Sequence, residues 1–346
     1  SPTRAATAGS SRRRSTTAPR ERALRQSARM DGSRALLIVN PAAGGGRAAR
    51  ALDRVLDELA PLRPFDVYVT QPDEARPAER AARDAVLAGV ERILVLGGDG
   101  SSSQAANGIY AAGGVAALGR VSLGLLPAGT GRDYARSVGV PRDPVAAARA
   151  RARGAAARRV DVGQIRFPDG RERLFLNVAS FGISAQIAHA LEEFPQLKRR
   201  AGAIAFGLAT VRAGLRYAPD ETELRVDLQA AQRGPTAAVA IANGGWFGGG
   251  MHVAPTARLD DGLLEVVRFG DLARRDFVIS LPRLYRGTHY THPQVTYARG
   301  EVAEASPGGG APDRARSRAI EIEADGELVG ALPARFSLLP SALALA

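Results

Sequence analysis

ILVLGGDGSSSQAANG, residues 93 to 108, joins a short apolar run to a Gly-Gly-Asp-Gly turn and then to a serine-rich segment. The apolar run is typical of a central parallel strand, and the glycines keep side chains away from the backbone of the turn. Asp99 would therefore stand at the carboxyl end of a strand, where open α/β sheets bind ligands. The amides of the helix start, near Ser101 to Ser103, would supply donors for phosphate. The alternative is a tight turn in which Asp99 is only a cap.

The neighbouring stretches repeat this order of strand, loop and helix. ALLIVN (35–40) precedes PAAGGGR and a predicted helix at 48–59, FDVYVT (65–70) precedes a helix at 77–88, and VSLGLLP (121–127) ends in AGTGRDYAR. Strands that alternate with helices predict a doubly wound α/β sheet with one binding edge.

Three glycine-rich loops would meet at that edge, at residues 40–46, 97–100 and 129–133. Their amides are not covered by side chains, Arg47 adds a charged donor, and Thr70 ends another strand. These loops predict a site for a nucleotide with several phosphates.

The pattern changes after about residue 160. RRVDVGQI, RLFLNVASFGI, ELRVDLQ and AAVAIANGG predict strands of a second, mainly antiparallel domain, with helices at roughly 189–215 and 274–285. Residues 304–317 are predicted to form a polar loop. AIEIEADGELVG, which follows, is predicted to form a hairpin with Asp325 and Gly326 at its tip.

Composition excludes several kinds of site. The 346 residues contain no cysteine, which rules out disulfides, thiol catalysis and thiolate zinc sites. The single lysine, Lys198, does not lie in a P-loop motif. No apolar run is long enough to span a membrane.

Half of the net charge of +12 lies in residues 1–32, which hold eight arginines and two acidic residues. This stretch has almost no large apolar residues, so we expect a disordered basic tail without a secretory signal, and a cytoplasmic protein. The rest of the charge is spread over the body of the chain. It favours a membrane surface or phosphates as partners, rather than a specific nucleic acid.

Besides the glycine-rich loops, several carboxylates could take part in a reaction site. Asp99 belongs to the first domain, whereas Asp260, Asp261, Asp325 and Glu327 lie at predicted turns of the second. Phosphoryl transfer needs positioning, Mg²⁺ and a carboxylate that accepts the proton of the nucleophile, and this set could provide all three across a cleft. The alternative for each of the turns is hairpin chemistry alone.

The motifs LLIVNPAAGGG, LVLGGDGSSSQAANG, LGLLPAGTGRDYAR, IANGGWFGGGMHVAPTARLDDGLLEV and the late ADGE resemble, in this order and spacing, the diacylglycerol kinase catalytic-domain family. That family includes bacterial lipid kinases, is similar to sphingosine and ceramide kinases, and shares a nucleotide-binding design with NAD kinases. The resemblance implies an NAD-kinase-like doubly wound α/β domain at 33–163, joined by the returning C-terminus at about 333–346. Residues 164–332 would form a β-sandwich domain on the lipid side.

The resemblance also implies the site residues. Glu327 and Asp325 are the candidate proton acceptors, and Asp99 lies close to the metal and the phosphates. The residues implied to bind ATP are Asn40, Pro41, Ala42, Ala43, Gly44, Thr70, Gly98, Asp99, Gly100, Ser101, Ser102, Ser103, Gln104 and Thr130.

A structural Mg²⁺ loop is implied as well, with Asp261 as the side-chain ligand and Arg258 and Leu263 as backbone ligands. Four positions depart from the pattern of the family. Ser101 replaces a usual Thr and keeps the hydroxyl. Gln104 replaces a usual Glu, Arg132 replaces a usual Asn, and Arg258 brings a cation to the metal loop.

These features predict an ATP- and Mg²⁺-dependent lipid kinase. It would transfer the γ-phosphate to the hydroxyl of a membrane-derived lipid, with diacylglycerol giving phosphatidic acid, and would visit the membrane surface transiently. The alternatives are a catalytically silent nucleotide- or lipid-binding protein of the same fold, which Gln104 and Arg132 keep open, and an enzyme that phosphorylates NAD. A homodimer is a further expectation.

Overall fold

The computed structural model describes residues 35–154, 157–192, 209, 212–213, 218–272, 281–308 and 319–345. The predicted tail, residues 1–32, lies outside these ranges. No helix among the described residues has the length and apolar character needed to cross a membrane.

The first half of the chain alternates strands and helices, as predicted. Its elements are β1 (Ala35–Val39), α1 (Ala43–Glu58), a 3₁₀ turn (Ala60–Leu62), β2 (Asp66–Val69), α2 (Pro77–Leu87), β3 (Arg92–Gly97), α3 (Asp99–Arg120), β4 (Ser122–Pro127), α4 (Asp133–Ser137) and α5 (Pro144–Ala152). The strands are parallel in the order β2-β1-β3-β4. Because β1 and β3 are central and apolar on both faces, they are buried between two helical layers.

The regular part of helix α1 begins after Gly46, close to the predicted start at residue 48. Gly44, Gly45 and Gly46 all have positive φ, so the chain coils back on itself before the regular helix begins. This coil brings Gly44 against the next loop, where a Cβ atom would lie 2.0 Å from the carbonyl oxygen of Ala128. Glycine is therefore required at position 44 for the two loops to approach each other.

The second half is almost entirely antiparallel. Its elements are β5 (Arg158–Arg166), β6 (Glu172–Phe175), β7 (Val178–Gly182), α6 (Ile183–Glu192), β8 (Asp220–Val226), β9 (Gln232–Thr236), β10 (Ala238–Ala242), β11 (Leu264–Phe269), a helical turn at 281–286, a 3₁₀ turn (His289–Thr291), β12 (Val295–Gly300), β13 (Val302–Pro307), β14 (Glu321–Ala324), β15 (Glu327–Ala331) and β16 (Ala334–Leu345).

These strands form a β-sandwich, as predicted. One layer is the six-stranded sheet β12-β11-β10-β7-β14-β15. The other is the run β16-β13-β8-β9, with β5 paired to β16 and β6 paired to β5. Apolar side chains fill the space between the layers, among them Phe181 and Phe336, whose ring centroids are 6.4 Å apart.

The end of the chain returns to the first half, as predicted. Strand β16 runs antiparallel to β5, and its last residues pair in parallel with β4, where Ala344 faces Ser122. The predicted division between residues 163 and 164 falls inside β5. This strand therefore joins the two halves through one continuous ten-stranded sheet.

The predicted loop at 304–317 is wrong for its first residues. Residues 304–307 belong to β13, because Ala303 and Ala305 alternate into the sandwich core and pair the strand with β8 and β16. Residues 309–318 lie outside the described part of the chain.

The two predicted helices of the second half are seen in part. Helix α6 begins at Ile183, six residues before the predicted start, and residues 193–208 lie outside the described part. The helical turn at 281–286 overlaps the end of the helix predicted at 274–285, of which residues 274–280 are not described.

Candidate active site

A cavity of about 860 Å³ lies between the carboxyl ends of β1, β3 and β4 and the six-stranded sheet. One end is lined by the glycine-rich loops and the other by apolar side chains. Carboxylates from both halves of the protein lie between these ends. The two halves of the chain thus contribute to one site.

The glycine-rich loops pack directly on one another at the first end. The side-chain Nδ2 of Asn40 donates a hydrogen bond to Ser101 Oγ at 3.1 Å, and Arg47 donates to the carbonyl of Gly129 at 2.9 Å. A Cβ atom on Gly129 would lie 2.7 Å from the Cα of Gly98. This close contact leaves a backbone surface with few side chains, which suits a polyphosphate.

Most of the residues implied to bind ATP line this cavity. Those that line it are Asn40, Ala43, Gly44, Gly98, Asp99, Gly100, Ser101, Gln104 and Thr130. Pro41, Ala42, Thr70, Ser102 and Ser103 do not. Thr70 is buried, and its amide donates to the carbonyl of Val39. Ser102 hydrogen-bonds the carbonyl of Gly98, so these positions shape the loops behind the cavity surface.

Two carboxylates face each other beside the phosphate-type loops. Asp99 accepts hydrogen bonds from the amides of Asp133 at 3.0 Å and Tyr134 at 3.3 Å, and so caps helix α4. Asp133 accepts from the amide of Gly249 at 2.7 Å and from Arg136 at 3.2 Å. Burial raises the pKa of the Asp99 carboxyl. Burial, together with the charge of Asp99, raises the pKa of Asp133 to about 6.

Sequence reasoning gave Asp133 no role, although it ends the third glycine-rich loop. The signal was present in the pattern Gly-Thr-Gly-Arg-Asp, in which the acidic residue comes directly after the loop. What the pattern could not show is that helix α4 turns this carboxylate back toward Asp99.

Asp325 clamps the junction between β6 and β7. It lies at the tip of the β14-β15 hairpin with a φ of 49°. Its carboxylate accepts hydrogen bonds from the amides of Leu176 at 2.6 Å, Asn177 at 2.9 Å and Val178 at 3.2 Å. Burial raises the pKa of Asp325 to about 6 in spite of these bonds. These three amide bonds hold the β6-β7 junction against the hairpin and give Asp325 a positioning role there.

Glu327 projects into the cavity from the start of β15. Its carboxylate accepts a 2.5 Å hydrogen bond from Gln104 and lies 3.4 Å from the guanidinium of Arg173. Arg173 also pairs with Glu79 at 2.6 Å, and this arginine side chain is only 9% exposed. The neutral amide of Gln104 can donate to Glu327, which a glutamate at that position could do only if it were protonated.

Glu323 is a second carboxylate that sequence reasoning did not assign. It lines the cavity, accepts a 2.7 Å hydrogen bond from Ser180, and is approached by the amide of Gly326. Burial raises its pKa to about 7.

The far end of the cavity is apolar. Its lining includes Ile183, Ile187, Val239, Phe247, Met251, Phe269, Leu272, Leu281, Leu284, Val295 and Leu328. These side chains come from α6, from strands β10, β11, β12 and β15, and from segments next to them. His289 and His292 line the same cavity, and burial lowers the pKa of His289 to about 4, so its ring is neutral near pH 7 and this end is suited to hydrocarbon.

Comparison with known proteins identifies the family. Residues 34–165 match the diacylglycerol kinase catalytic domain, and residues 177–346 match the YegS C-terminal NAD kinase beta sandwich-like domain. The chain is 32% identical over 274 residues to a "Probable lipid kinase YegS-like" of Chromohalobacter salexigens, covering 77% of this chain and 79% of that protein. The chain belongs to the diacylglycerol kinase-like lipid kinase family.

Other relatives agree with this assignment. A diacylglycerol kinase of Mycobacterium tuberculosis is 28% identical over 315 residues, which cover 88% of this chain and 92% of that one. The crystal structure of a diacylglycerol kinase from Bacillus anthracis covers 90% of this chain and 96% of its own, with a TM-score of 0.63 and 19% identity. That likeness shows a common fold. Membership of this kinase family implies that ATP is used.

Within this lipid kinase, Arg132 adopts the left-handed conformation, with a φ of 53°. Asparagine, usual at this position in the family, enters that region more readily than arginine. The Arg132 side chain is partly buried and donates to the carbonyl of Arg142 at 3.1 Å. The substitution therefore brings a positive charge that acts on Asp99.

The implied Mg²⁺ loop of this kinase lies outside the large cavity. Oδ2 of Asp261 is 2.5 Å from the guanidinium of Arg299, and its Oδ1 accepts the amide of Leu263 at 3.1 Å. Arg258 is exposed and pairs with Asp260 at 3.2 Å. The implied site has one side-chain ligand, Asp261, and both of its carboxylate oxygens are already engaged. The residues present do not fit a cation at this loop.

Proposed function

We propose that this kinase transfers the γ-phosphoryl group of ATP to the primary hydroxyl of a membrane-derived lipid, with diacylglycerol as substrate and phosphatidic acid as product. The observation that carries the proposal is the single cavity that joins a phosphate-type loop surface to an apolar end, with carboxylates between them. A diacylglycerol has its hydroxyl beside two acyl chains, which matches this order of polar and apolar surfaces.

The nucleotide end binds and orients ATP. The amides around Gly44, Gly98 and Gly129 face the phosphates, and the following helix start adds its dipole. The neighbouring carboxylates of Asp99 and Asp133 suit a divalent cation, because they carry like charges at a buried site where Arg136 hydrogen-bonds Asp133 and leaves Asp99 to backbone amides. When bound there, Mg²⁺ would neutralise phosphate charge.

Glu327 accepts the proton of the lipid hydroxyl. The hydroxyl oxygen attacks the γ-phosphorus, the bond to the bridging oxygen breaks, ADP leaves, and the proton passes to the Glu327 carboxylate. Gln104 and Arg173 hold that carboxylate at the boundary between the two ends of the cavity. Asp325 keeps the β6-β7 junction in place against it.

The apolar end binds the acyl chains and excludes water from the transfer. This end supports a lipid over NAD, since the ribose and nicotinamide of NAD would have to face the hydrocarbon-like walls. A lipid substrate also requires contact with a membrane surface, which the net positive charge favours on anionic bilayers.

The test is transfer of labelled γ-phosphate from ATP to mixed micelles that contain diacylglycerol, ceramide, sphingosine or a glycolipid, with a separate arm that contains NAD. We expect labelled phosphatidic acid from the diacylglycerol micelles, and no label when a chelator replaces Mg²⁺. A labelled product from another lipid would replace diacylglycerol as the substrate. Binding of ATP without any labelled product would instead indicate a silent binding protein.

A further inference from the structure

Arg299 lies where the sequence predicted a bound cation. Its Nη2 is 2.5 Å from Oδ2 of Asp261, and its Nε is 2.9 Å from Oε1 of Glu265. Glu265 on β11 faces Arg299 directly across the antiparallel pair with β12. One guanidinium thus bridges a carboxylate of the loop and a carboxylate of the sheet.

Glu265 explains why a positive charge is required here. Its side chain is fully buried, and its other oxygen accepts a hydrogen bond from Thr256 at 3.0 Å. Burying a carboxylate is costly unless a cation or several donors compensate it. Arginine supplies a permanent charge and a planar set of donors that can reach two carboxylates at once.

Two backbone amides of the loop are also engaged. The amide of Leu263 binds the second oxygen of Asp261, and the amide of Gly262 donates to Asp161 at 2.8 Å. Asp161 is itself buried and accepts the amide of Ser341 at 2.6 Å, which ties the loop to strand β16.

We propose that Arg299 is a built-in counter-ion that takes the place of a metal ion at the loop 258–263, so that this loop folds without Mg²⁺. The proposal concerns the fold of the loop and is independent of the reaction and of its substrate.

Thermal unfolding without nucleotide tests the proposal, in chelator and in millimolar Mg²⁺. The proteins are the wild type, Asp261→Asn, Arg299→Gln, and the double variant that combines these two. Any Mg²⁺ response that arises from Asp99 and Asp133 is common to all four. A matched control is Arg335→Gln, which removes an arginine from an exposed cross-strand pair with Glu304 at 2.6 Å.

In chelator, we expect Arg299→Gln to lower Tm by roughly 5–10 °C, whereas Arg335→Gln changes it by about 1 °C or less. Mg²⁺ should restore part of the loss in Arg299→Gln, because Asp261 is then free to bind a cation. The double variant should show no such recovery. Asp261→Asn should leave the Mg²⁺ response of the wild type unchanged.

Loss of the wild-type Mg²⁺ response in Asp261→Asn would overturn the proposal, since the metal would then bind the loop beside Arg299. An unchanged Tm in Arg299→Gln, or a loss that Mg²⁺ does not restore, would also overturn it. If Arg299→Gln does not fold, the change in Tm on adding Mg²⁺, compared between the wild type and Asp261→Asn, still tests the proposal.

Discussion

Two acidic regions of this kinase differ in what neutralises them. Beside the nucleotide end of the cavity, Asp99 and Asp133 accept mainly backbone amides, and burial raises the pKa of both. At the loop 258–263, Asp261 and Glu265 share one arginine. In the first pair Arg136 hydrogen-bonds Asp133, and Asp99 accepts backbone amides, so a ligand cation can still bind there, whereas both carboxylates of the second pair contact the same guanidinium. The same residue types therefore serve chemistry in one region and structure in the other.

The largest expected effect is at Glu327, the cavity carboxylate held by side chains. Glu327→Gln should lower kcat by roughly 100- to 10,000-fold, because the amide cannot accept the proton of the lipid hydroxyl. The measurement is the rate of phosphatidic acid formation at saturating ATP. Glu304→Gln, which changes an exposed glutamate of the same fold, should keep the wild-type rate. A Glu327→Gln enzyme with a normal kcat would remove the assignment.

The next effect separates the two acidic regions directly. Asp133→Asn should reduce kcat by roughly 100- to 1,000-fold, because the asparagine lacks the negative charge that would hold a cation. Its Tm should stay the same or rise, because keeping a carboxylate of raised pKa ionised lowers the stability of the folded protein. Asp261→Asn should do the reverse and lower Tm with little change in kcat. Kinase assays and thermal unfolding on both variants test whether one variant loses kcat and the other loses Tm. Parallel losses in both variants would break the comparison.

A smaller effect is expected at Arg173, which acts through Glu327. Arg173→Gln should lower kcat about tenfold with little change in KM for ATP, because the Glu327 carboxylate loses one contact that positions it but can still accept the proton. Arg173→Lys should recover part of the rate, because a positive charge near Glu327 is restored. A change confined to KM for ATP would place Arg173 in nucleotide binding instead.

The smallest effect is on the pH dependence of stability at Glu323. Its folded-state pKa of about 7 lies above its ordinary value of 4.5, so its contribution to stability is complete below pH 4.5 and is lost as the pH rises through 7. Glu323→Gln should therefore raise the free energy of unfolding at pH 8, on the order of 1–2 kcal/mol relative to wild type, with a smaller gain at pH 5. Denaturant titrations at the two pH values measure this difference. An equal effect at both would show that Glu323 does not titrate in this range.

The sequence predicted the parts of the fold that depend on local pattern. The buried strand at 93–96, the helices that follow the glycine-rich loops and the hairpin at Asp325 all follow from apolar runs and turn residues. The sequence predicted a loop from residue 304, inside strand β13, because Glu304 and Pro307 interrupt a short alternation of alanines.

The site depended on contacts between residues distant in sequence, and a motif records only one partner of such a contact. Nothing near Glu327 in the sequence indicates Arg173, which is 154 positions away. Nothing near Asp261 indicates Arg299, 38 positions away. The loop 258–263 has the residues that the resemblance implies for a metal, but the register of β11 and β12 brings a guanidinium to it instead.

The most direct test of the account is mass spectrometry of a total membrane lipid extract after incubation with the full-length kinase, ATP and Mg²⁺. The account predicts that diacylglycerol species decrease and phosphatidic acids with the same acyl chains appear, and that Glu327→Gln produces neither change. An extract in which no lipid gains a phosphate, under conditions where the protein binds ATP, would contradict it.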